Sequence, residues 1–99
     1  MLNISKTIDG ENVRFALEGD LDTVTSSGFE AELKDSLGGA AALTLDLEKL
    51  EYISSAGLRV LLVAQKIMNQ QGEMKVVHVN ETIMEIFEVT GFSDILNIE

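Results

Sequence analysis

Two adjacent hydroxyls, Ser54 and Ser55, stand where a strand-like stretch gives way to a helix-like one. Apolar residues alternate over 43–47, whereas the residues from Leu58 onward repeat at helical spacing. A serine at the start of a helix can cap free backbone N–H groups. It can also carry a phosphate, which the positive end of the helix stabilises. Capping explains one hydroxyl at this place but not both, so capping and phosphorylation both stay open.

Catalytic uses of these hydroxyls find little support in the rest of the chain. A serine nucleophile needs a neighbouring base, and the only histidine, His78, lies within a predicted strand, where a structural role is expected. The G-x-S-x-G turn of serine hydrolases is absent, and so is the G-x-x-x-x-G-K-[ST] loop that binds nucleotide phosphates. The acidic residues are scattered along the chain instead of clustered as cation ligands. The sequence therefore predicts no enzyme activity, no metal site and no cofactor.

Strand and helix periodicities alternate along the chain. Asp9-Gly10 between two apolar-patterned segments predicts a hairpin turn. Gly38-Gly39 and Gly91 predict the ends of two helices, and Asn80 predicts a helix start. The predicted elements are strands at 3–8 and 13–18, a helix at 25–37, a strand at 42–47, a helix at 58–70, a strand at 74–79, a helix at 80–90 and a short strand at 94–98.

This order of elements predicts an α/β fold. Strands joined through single helices need crossover connections, which give parallel neighbours and right-handed crossings. We expect one domain over 1–99, with a mixed, mostly parallel sheet of four to five strands, an N-terminal hairpin and helices packed against it. The helix at 58–70 is apolar around most of its circumference, which favours burial between other elements. The alternative is an exposed apolar rim used for docking.

The charge balance narrows the class of partner. Seventeen Asp and Glu face seven Lys and Arg, which gives a net charge of -10. Such a surface repels nucleic-acid phosphates and anionic membranes, so we expect neither as a direct partner and favour a basic protein. There is no cysteine, and the N-terminal residues lack the apolar core of a signal peptide. With no apolar run long enough to cross a bilayer, the prediction is a cytoplasmic protein.

Several short motifs, taken in order, resemble one family. Gly19-Asp20-Leu21-Asp22 precedes the first helix, and Asp46-Leu47-Glu48 leads to Tyr52-Ile53-Ser54-Ser55-Ala56-Gly57-Leu58. Gly72-Glu73-Met74 and Thr90-Gly91-Phe92 follow at matching distances. Together they resemble the anti-sigma factor antagonists, which are bacterial STAS domains. The family pattern at the switch is Asp-Ser-Ser-Gly or Asp-Ser-Thr-Gly, and the serine after the Asp is phosphorylated.

The resemblance assigns roles residue by residue. Ser55 takes the phosphoacceptor position, and Ser54 replaces the family's aspartate, a departure that bears on recognition by the kinase. In the family, the unphosphorylated form binds an anti-sigma factor serine kinase, which has a histidine-kinase-like ATP-binding fold, and a sigma factor is released. Phosphorylation abolishes the binding, and a serine phosphatase restores it. The implied partner surface comprises Asp20, Asp22, Ser54, Ser55, Ala56, Gly57, Leu58 and Arg59.

The same resemblance allows a second function. STAS domains also serve as regulatory subunits of membrane transport complexes, and the two functions share one fold. Neighbouring genes would separate them: a kinase and a sigma factor indicate the first function, whereas a transporter ATPase and a permease indicate the second.

Overall fold

The computed structural model describes all residues from 1 to 99 and contains one four-stranded sheet with three helices. Neighbouring strands follow chain order, and the first pair is antiparallel while the other two pairs are parallel. The predicted mixed α/β sheet is thereby confirmed. The elements are β1 (Leu2–Asp9), β2 (Asn12–Leu21), α1 (Ser26–Ser36), β3 (Ala42–Ile53), α2 (Ser55–Asn69), β4 (Glu73–Val77) and α3 (Glu81–Thr90), followed by a 3-10 turn at Phe92–Asp94.

The N-terminal hairpin forms at the predicted turn. Asp9 pairs with Asn12, which leaves Gly10 and Glu11 as a two-residue loop. Gly10 has a φ of 61°, a conformation that glycine adopts without the steric penalty of a side chain. The turn therefore sets the register of β1 on β2.

The core lies on one face of the sheet. Alternate side chains of β2 and β3 are fully or almost fully buried there, and α1 packs on them with the ring of Phe29 edge-on to that of Phe15 at 5.5 Å. The intervening side chains, such as Arg14 and Thr44, are only half-buried. The helices therefore cover one face and leave the other open. The buried strand residues are Val13, Phe15, Leu17, Leu43, Leu45 and Leu47.

The prediction that the second helix is buried between other elements is confirmed. Two apolar residues of α2, Val60 and Leu61, are completely inaccessible to solvent, while Arg59 and Lys66 are exposed. None of the helices is long and apolar enough to cross a membrane.

The junction between β3 and α2 differs from the prediction. β3 runs to Ile53 instead of ending at Leu47, and α2 begins at Ser55 instead of Leu58. Irregularities in the pairing with β2 interrupt the strict alternation of buried and exposed residues after Leu47, although the pairing itself continues to Ile53. A pattern of period two cannot follow a strand through a bulge, because each extra residue exchanges the two faces.

The prediction of a last strand at 94–98 is wrong. The chain forms the 3-10 turn at Phe92–Asp94, and only Ile98 bridges to Val76 of β4. Leu96 is buried beside this bridge, so burial of one side chain anchors the segment without a strand. β4 itself ends at Val77, two residues before its predicted end, because His78 has a φ of 56° that breaks the extended backbone.

Candidate functional site

The two serines at the start of α2 have different surroundings. Ser54 is the N-cap residue, and its Oγ accepts a hydrogen bond from the backbone N–H of Gly57 at 3.3 Å. Ser55 is the first residue of the helix; it is exposed, and its hydroxyl makes no hydrogen bond within the chain. Capping therefore accounts for Ser54 and leaves the hydroxyl of Ser55 free.

Close packing against β2 positions the start of α2. Leu21 pairs with Ile53 at the ends of β2 and β3, and the Leu21 carbonyl accepts a hydrogen bond from the backbone N–H of Ser54 at 2.9 Å. A Cβ added at Gly57 would lie 2.6 Å from that carbonyl oxygen and 2.8 Å from Cγ1 of Ile53. Only glycine fits this close approach, so Gly57 allows the start of α2, with its two serines, to pack directly against the end of β2.

The loop between β2 and α1 lies beside them and is held by its own hydrogen bonds. Oδ1 of Asp22 accepts the backbone N–H groups of Val24 and Thr25, each at 3.0 Å. The Thr25 hydroxyl accepts the N–H of Asp22 at 2.9 Å and is 2.8 Å from the carbonyl oxygen of Asp20. The N–H of Thr25 lowers the pKa of Asp22, partial burial acts in the opposite direction, and the N–H of Val24 lowers it further. Asp22 is therefore ionised, and its carboxylate stabilises the conformation of the β2–α1 loop.

Arg59 connects α2 to α1. Its guanidinium Nη2 lies 2.9 Å from Oε1 of Glu30, and Lys34 lies 3.0 Å from the other oxygen of the same carboxylate. The hydrogen bond from Lys34 lowers the pKa of Glu30, partial burial opposes it, and Arg59 lowers it further. The sequence analysis missed Glu30, because no local pattern shows which residue of α1 faces Arg59.

The predicted partner surface is brought together in part. Asp20, Asp22, Ser54 and Ala56 are half-buried, while Ser55 and Arg59 are exposed, all of them near the adjoining ends of β2 and β3. Gly57 and Leu58 are buried, so in the free protein they support this surface and do not form it. Sequence reasoning did not single out Val24, a residue of the β2–α1 loop that is 84% exposed.

A second polar cluster lies on the open face of the sheet. Oδ2 of Asp46 is 2.8 Å from Arg14 and 3.1 Å from Nδ1 of His78, while Oδ1 accepts the backbone N–H of Glu48. Burial raises the pKa of Asp46, but the Glu48 amide, His78 and Arg14 together outweigh this and lower it. His78 makes no hydrogen bond to Ser55, so these residues do not form a hydrolase triad.

The acidic residues cluster more than the sequence analysis expected. Ligand atoms of Asp46, Glu48 and His78 lie within 4.8 Å of one another, which is the kind of grouping that can hold a metal ion. However, Oδ2 of Asp46 already pairs with the Arg14 cation, which would repel a metal ion, and Oδ1 accepts the Glu48 amide. We read the group as a hydrogen-bonded network that joins β2, β3 and the residue after β4. In the β3–β4 register Asp46 pairs with Val77. Knowledge of this register would have been enough to predict that His78, the next residue, lies beside Asp46.

Comparison with known proteins identifies the family. The STAS domain model matches residues 3–99, and the chain belongs to the STAS domain family. It is 39% identical over 93 residues to BtrV of Bordetella bronchiseptica, provisionally named an anti-sigma factor antagonist, covering 92% of this chain and 79% of that protein. It is 29% identical to the anti-sigma-B factor antagonist of Listeria monocytogenes, covering 99% of this chain and 90% of that protein.

Solved structures show the same fold. An anti-sigma factor antagonist from Mycobacterium paratuberculosis superposes with a TM-score of 0.88 at 18% identity, covering 99% of this chain and 85% of that one. The Bacillus cell-fate determinant SpoIIAA in its phosphorylated form superposes with a TM-score of 0.75 at 17% identity, covering 100% of this chain and 91% of that one. At these identities the likeness shows the fold alone.

Proposed function

We propose that the protein is an anti-sigma factor antagonist that phosphorylation of Ser55 switches off. One observation carries the proposal: the Ser54 hydroxyl caps α2, whereas the Ser55 hydroxyl is exposed and unengaged at the position that the family pattern gives to the phosphoacceptor. The named relatives support the assignment, since they are anti-sigma factor antagonists and none is named as a subunit of a transport complex.

The partner in this proposal is an anti-sigma factor serine kinase with a histidine-kinase-like ATP-binding fold. The kinase transfers the γ-phosphoryl group of ATP to the Ser55 oxygen, the hydroxyl proton leaves, and ADP is released. A serine phosphatase then hydrolyses the phosphoserine and returns the hydroxyl and inorganic phosphate. The protein itself is the substrate in both steps and catalyses neither. While it is unphosphorylated it occupies the kinase, and the sigma factor is free in the cytoplasm.

The shape of the site favours a macromolecular partner. None of the surface hollows of the structure is lined by Ser54 or Ser55, so the acceptor hydroxyl stands on open surface and not in a small-molecule pocket. Asp20 lies near the end of β2 and Asp22 on the loop that follows it, and the chain carries a net charge of -10. A basic face on the kinase complements this surface. Neither nucleic acid nor membrane is a direct partner in this account.

Rigidity makes the switch effective. The Ser54–Leu21 hydrogen bond and the close contact of Gly57 fix the backbone on which Ser55 stands. A phosphate of about two negative charges on Ser55 can therefore move only by rotation of its own side chain, and it stays close to a docked partner. Desolvating it close to the negatively charged nucleotide bound by the kinase would weaken binding by about 3 kcal/mol, or roughly a hundredfold.

Phosphorylation of the purified protein tests the proposal. The protein is incubated with the anti-sigma factor kinase encoded in the same genome and Mg-ATP, and intact mass and phosphopeptides are measured. We expect one phosphate, on Ser55. Ser55→Ala should abolish the modification, and the matched variant Ser54→Ala should retain it. A phosphate on Ser54, or none with a kinase that is active on another substrate, would contradict the proposal.

A further inference from the structure

We propose that Arg59 is the internal counter-charge for a phosphate on Ser55, and that it leaves Glu30 to take this role. The inference rests on the proposed function, since it describes what the protein does once Ser55 is modified. It assigns Arg59 two alternative partners, one for each state of the switch.

The first partner is visible in the structure. Nη2 of Arg59 lies 2.9 Å from Oε1 of Glu30, and this ion pair joins the start of α2 to the middle of α1. The Arg59 side chain is 61% exposed, so packing does not hold it in one conformation. An exposed ion pair is a weak contact, and a stronger anion can displace it.

The second partner is within reach along the helix. Ser55 and Arg59 are separated by four residues in α2, so their side chains lie on the same helix face. Helical side chains lean toward the N-terminus, which brings the Arg59 guanidinium back toward Ser55. A phosphate offers more charge than a carboxylate, and the fork of N–H groups on arginine can bind two of its oxygens at once.

Glu30 can release Arg59 without being left unpaired. Its side chain is only 17% exposed, so loss of every partner would leave a largely buried carboxylate uncompensated. Lys34 lies 3.0 Å from the other carboxylate oxygen, so Glu30 keeps one cation when Arg59 leaves it. The two cations around Glu30 differ in position: Lys34 belongs to α1, whereas Arg59 belongs to α2 and follows Ser55 by four residues.

The exchange has a consequence for the partner surface. In the unmodified protein the Arg59–Glu30 pair lies across α1 and α2, at the edge of that surface. In the phosphorylated protein the guanidinium lies over the helix start with the phosphate. Phosphorylation therefore changes two features of the surface that the kinase meets: it adds a dianion at Ser55 and removes the Arg59–Glu30 bridge.

Phosphorus NMR on a protein with phosphoserine installed at position 55 during translation tests the inference. The second pKa of the phosphate is titrated in the otherwise wild-type chain and in Arg59→Gln. We expect Arg59→Gln to raise this pKa by about 0.3, since the second ionisation of the phosphate adds one negative charge and an i,i+4 ion pair stabilises one such charge by about that much. Lys34→Gln removes the same charge from the same carboxylate and should change the phosphate pKa much less. Equal values in wild type and Arg59→Gln, or equal shifts in both variants, would overturn the inference.

A second measurement needs no substitution. The side-chain Nε–Hε signal of Arg59 should move when Ser55 carries a phosphate, and an unmoved signal would also overturn the exchange. Because the phosphoserine is installed without a kinase, both readouts are independent of the phosphorylation assay. A protein that no kinase modifies but that shows the Arg59 effect would refute the proposed function alone. A protein phosphorylated on Ser55 without the Arg59 effect would refute this inference alone.

Discussion

The hydroxyl of Ser54 accepts a hydrogen bond from the backbone amide of Gly57, while its neighbour Ser55 faces solvent with no partner in the chain. Two residues that look equivalent in the sequence thus have separate tasks. Ser54 holds the helix start, and Ser55 is available for modification. Stability should depend on the first residue, and regulation on the second.

Replacing each serine by alanine should separate these tasks. Ser54→Ala removes the cap of α2 and should lower the free energy of unfolding by about 1 kcal/mol. Ser55→Ala removes no hydrogen bond and should leave it within about 0.5 kcal/mol of wild type, as for most surface changes. Urea denaturation followed by circular dichroism measures both. Equal losses of stability in the two variants would contradict the division of tasks.

Gly57 should tolerate no side chain. Gly57→Ala places a Cβ 2.6 Å from the Leu21 carbonyl oxygen and should destabilise the fold by about 1 to 3 kcal/mol, because β2 and α2 must move apart. Gly28→Ala is the matched control, since the same Cβ in α1 would meet no atom within 4 Å. It should stabilise the protein by about 0.4 to 1 kcal/mol. Thermal melts of both variants test this prediction. A Gly57→Ala variant as stable as wild type would show that the close contact is absent in solution.

The polar network on the open face should make stability depend on pH. The pKa of Asp46 is lower in the folded chain than its ordinary value of 3.8, so the folded state favours the ionised carboxylate. This contribution is fully present above the ordinary value and is lost as the pH falls through the lowered one. Asp46→Asn should therefore lose about 1 to 2 kcal/mol near neutral pH, and the difference from wild type should shrink below about pH 4.

Urea midpoints measured from pH 7 down to pH 3 test this dependence. Asp35→Asn is the control, because Asp35 is exposed and makes no ion pair in the structure. A loss in Asp46→Asn that stays constant with pH would show that the carboxylate charge is not what stabilises the network.

Association with the kinase should depend on salt. A chain with a net charge of -10 that meets a basic face gains in association rate from long-range attraction, which ions screen. Stopped-flow association rates should fall as sodium chloride rises from about 0.05 to 0.5 M, while dissociation rates change less. Association rates that do not change with salt would remove electrostatic steering from the account.

The sequence predicted the order of the elements from β1 to α3, because this order depends on local patterns. Period-two alternation located the core of β3, and Asn80 and Gly91 marked the ends of α3 where the structure has them. The same local patterns failed where pairing shifts register: β3 continues beyond Leu47 alongside β2, which no alternation could show.

Contacts between distant residues were also beyond local patterns. The Arg59–Glu30 pair joins positions 29 residues apart, and the Asp46–His78 contact depends on how β3 and β4 align. Such pairs follow from the packing of elements on one another. The C-terminal segment shows the same limit, since one buried leucine and one bridge at Ile98 replace the expected strand.

Binding of the kinase to three forms of the protein tests the central claim most directly. Isothermal titration calorimetry compares wild type, the Ser55-phosphorylated protein and Ser55→Asp, and each form is also melted thermally. Ser55→Ala is the control that should bind like wild type and resist inactivation by ATP. We expect the phosphorylated protein to bind about a hundredfold more weakly and to keep a cooperative melt close to that of wild type, with Ser55→Asp weakened in the same direction. A phosphorylated protein that binds as tightly as wild type, or that loses its cooperative melt, would contradict the account.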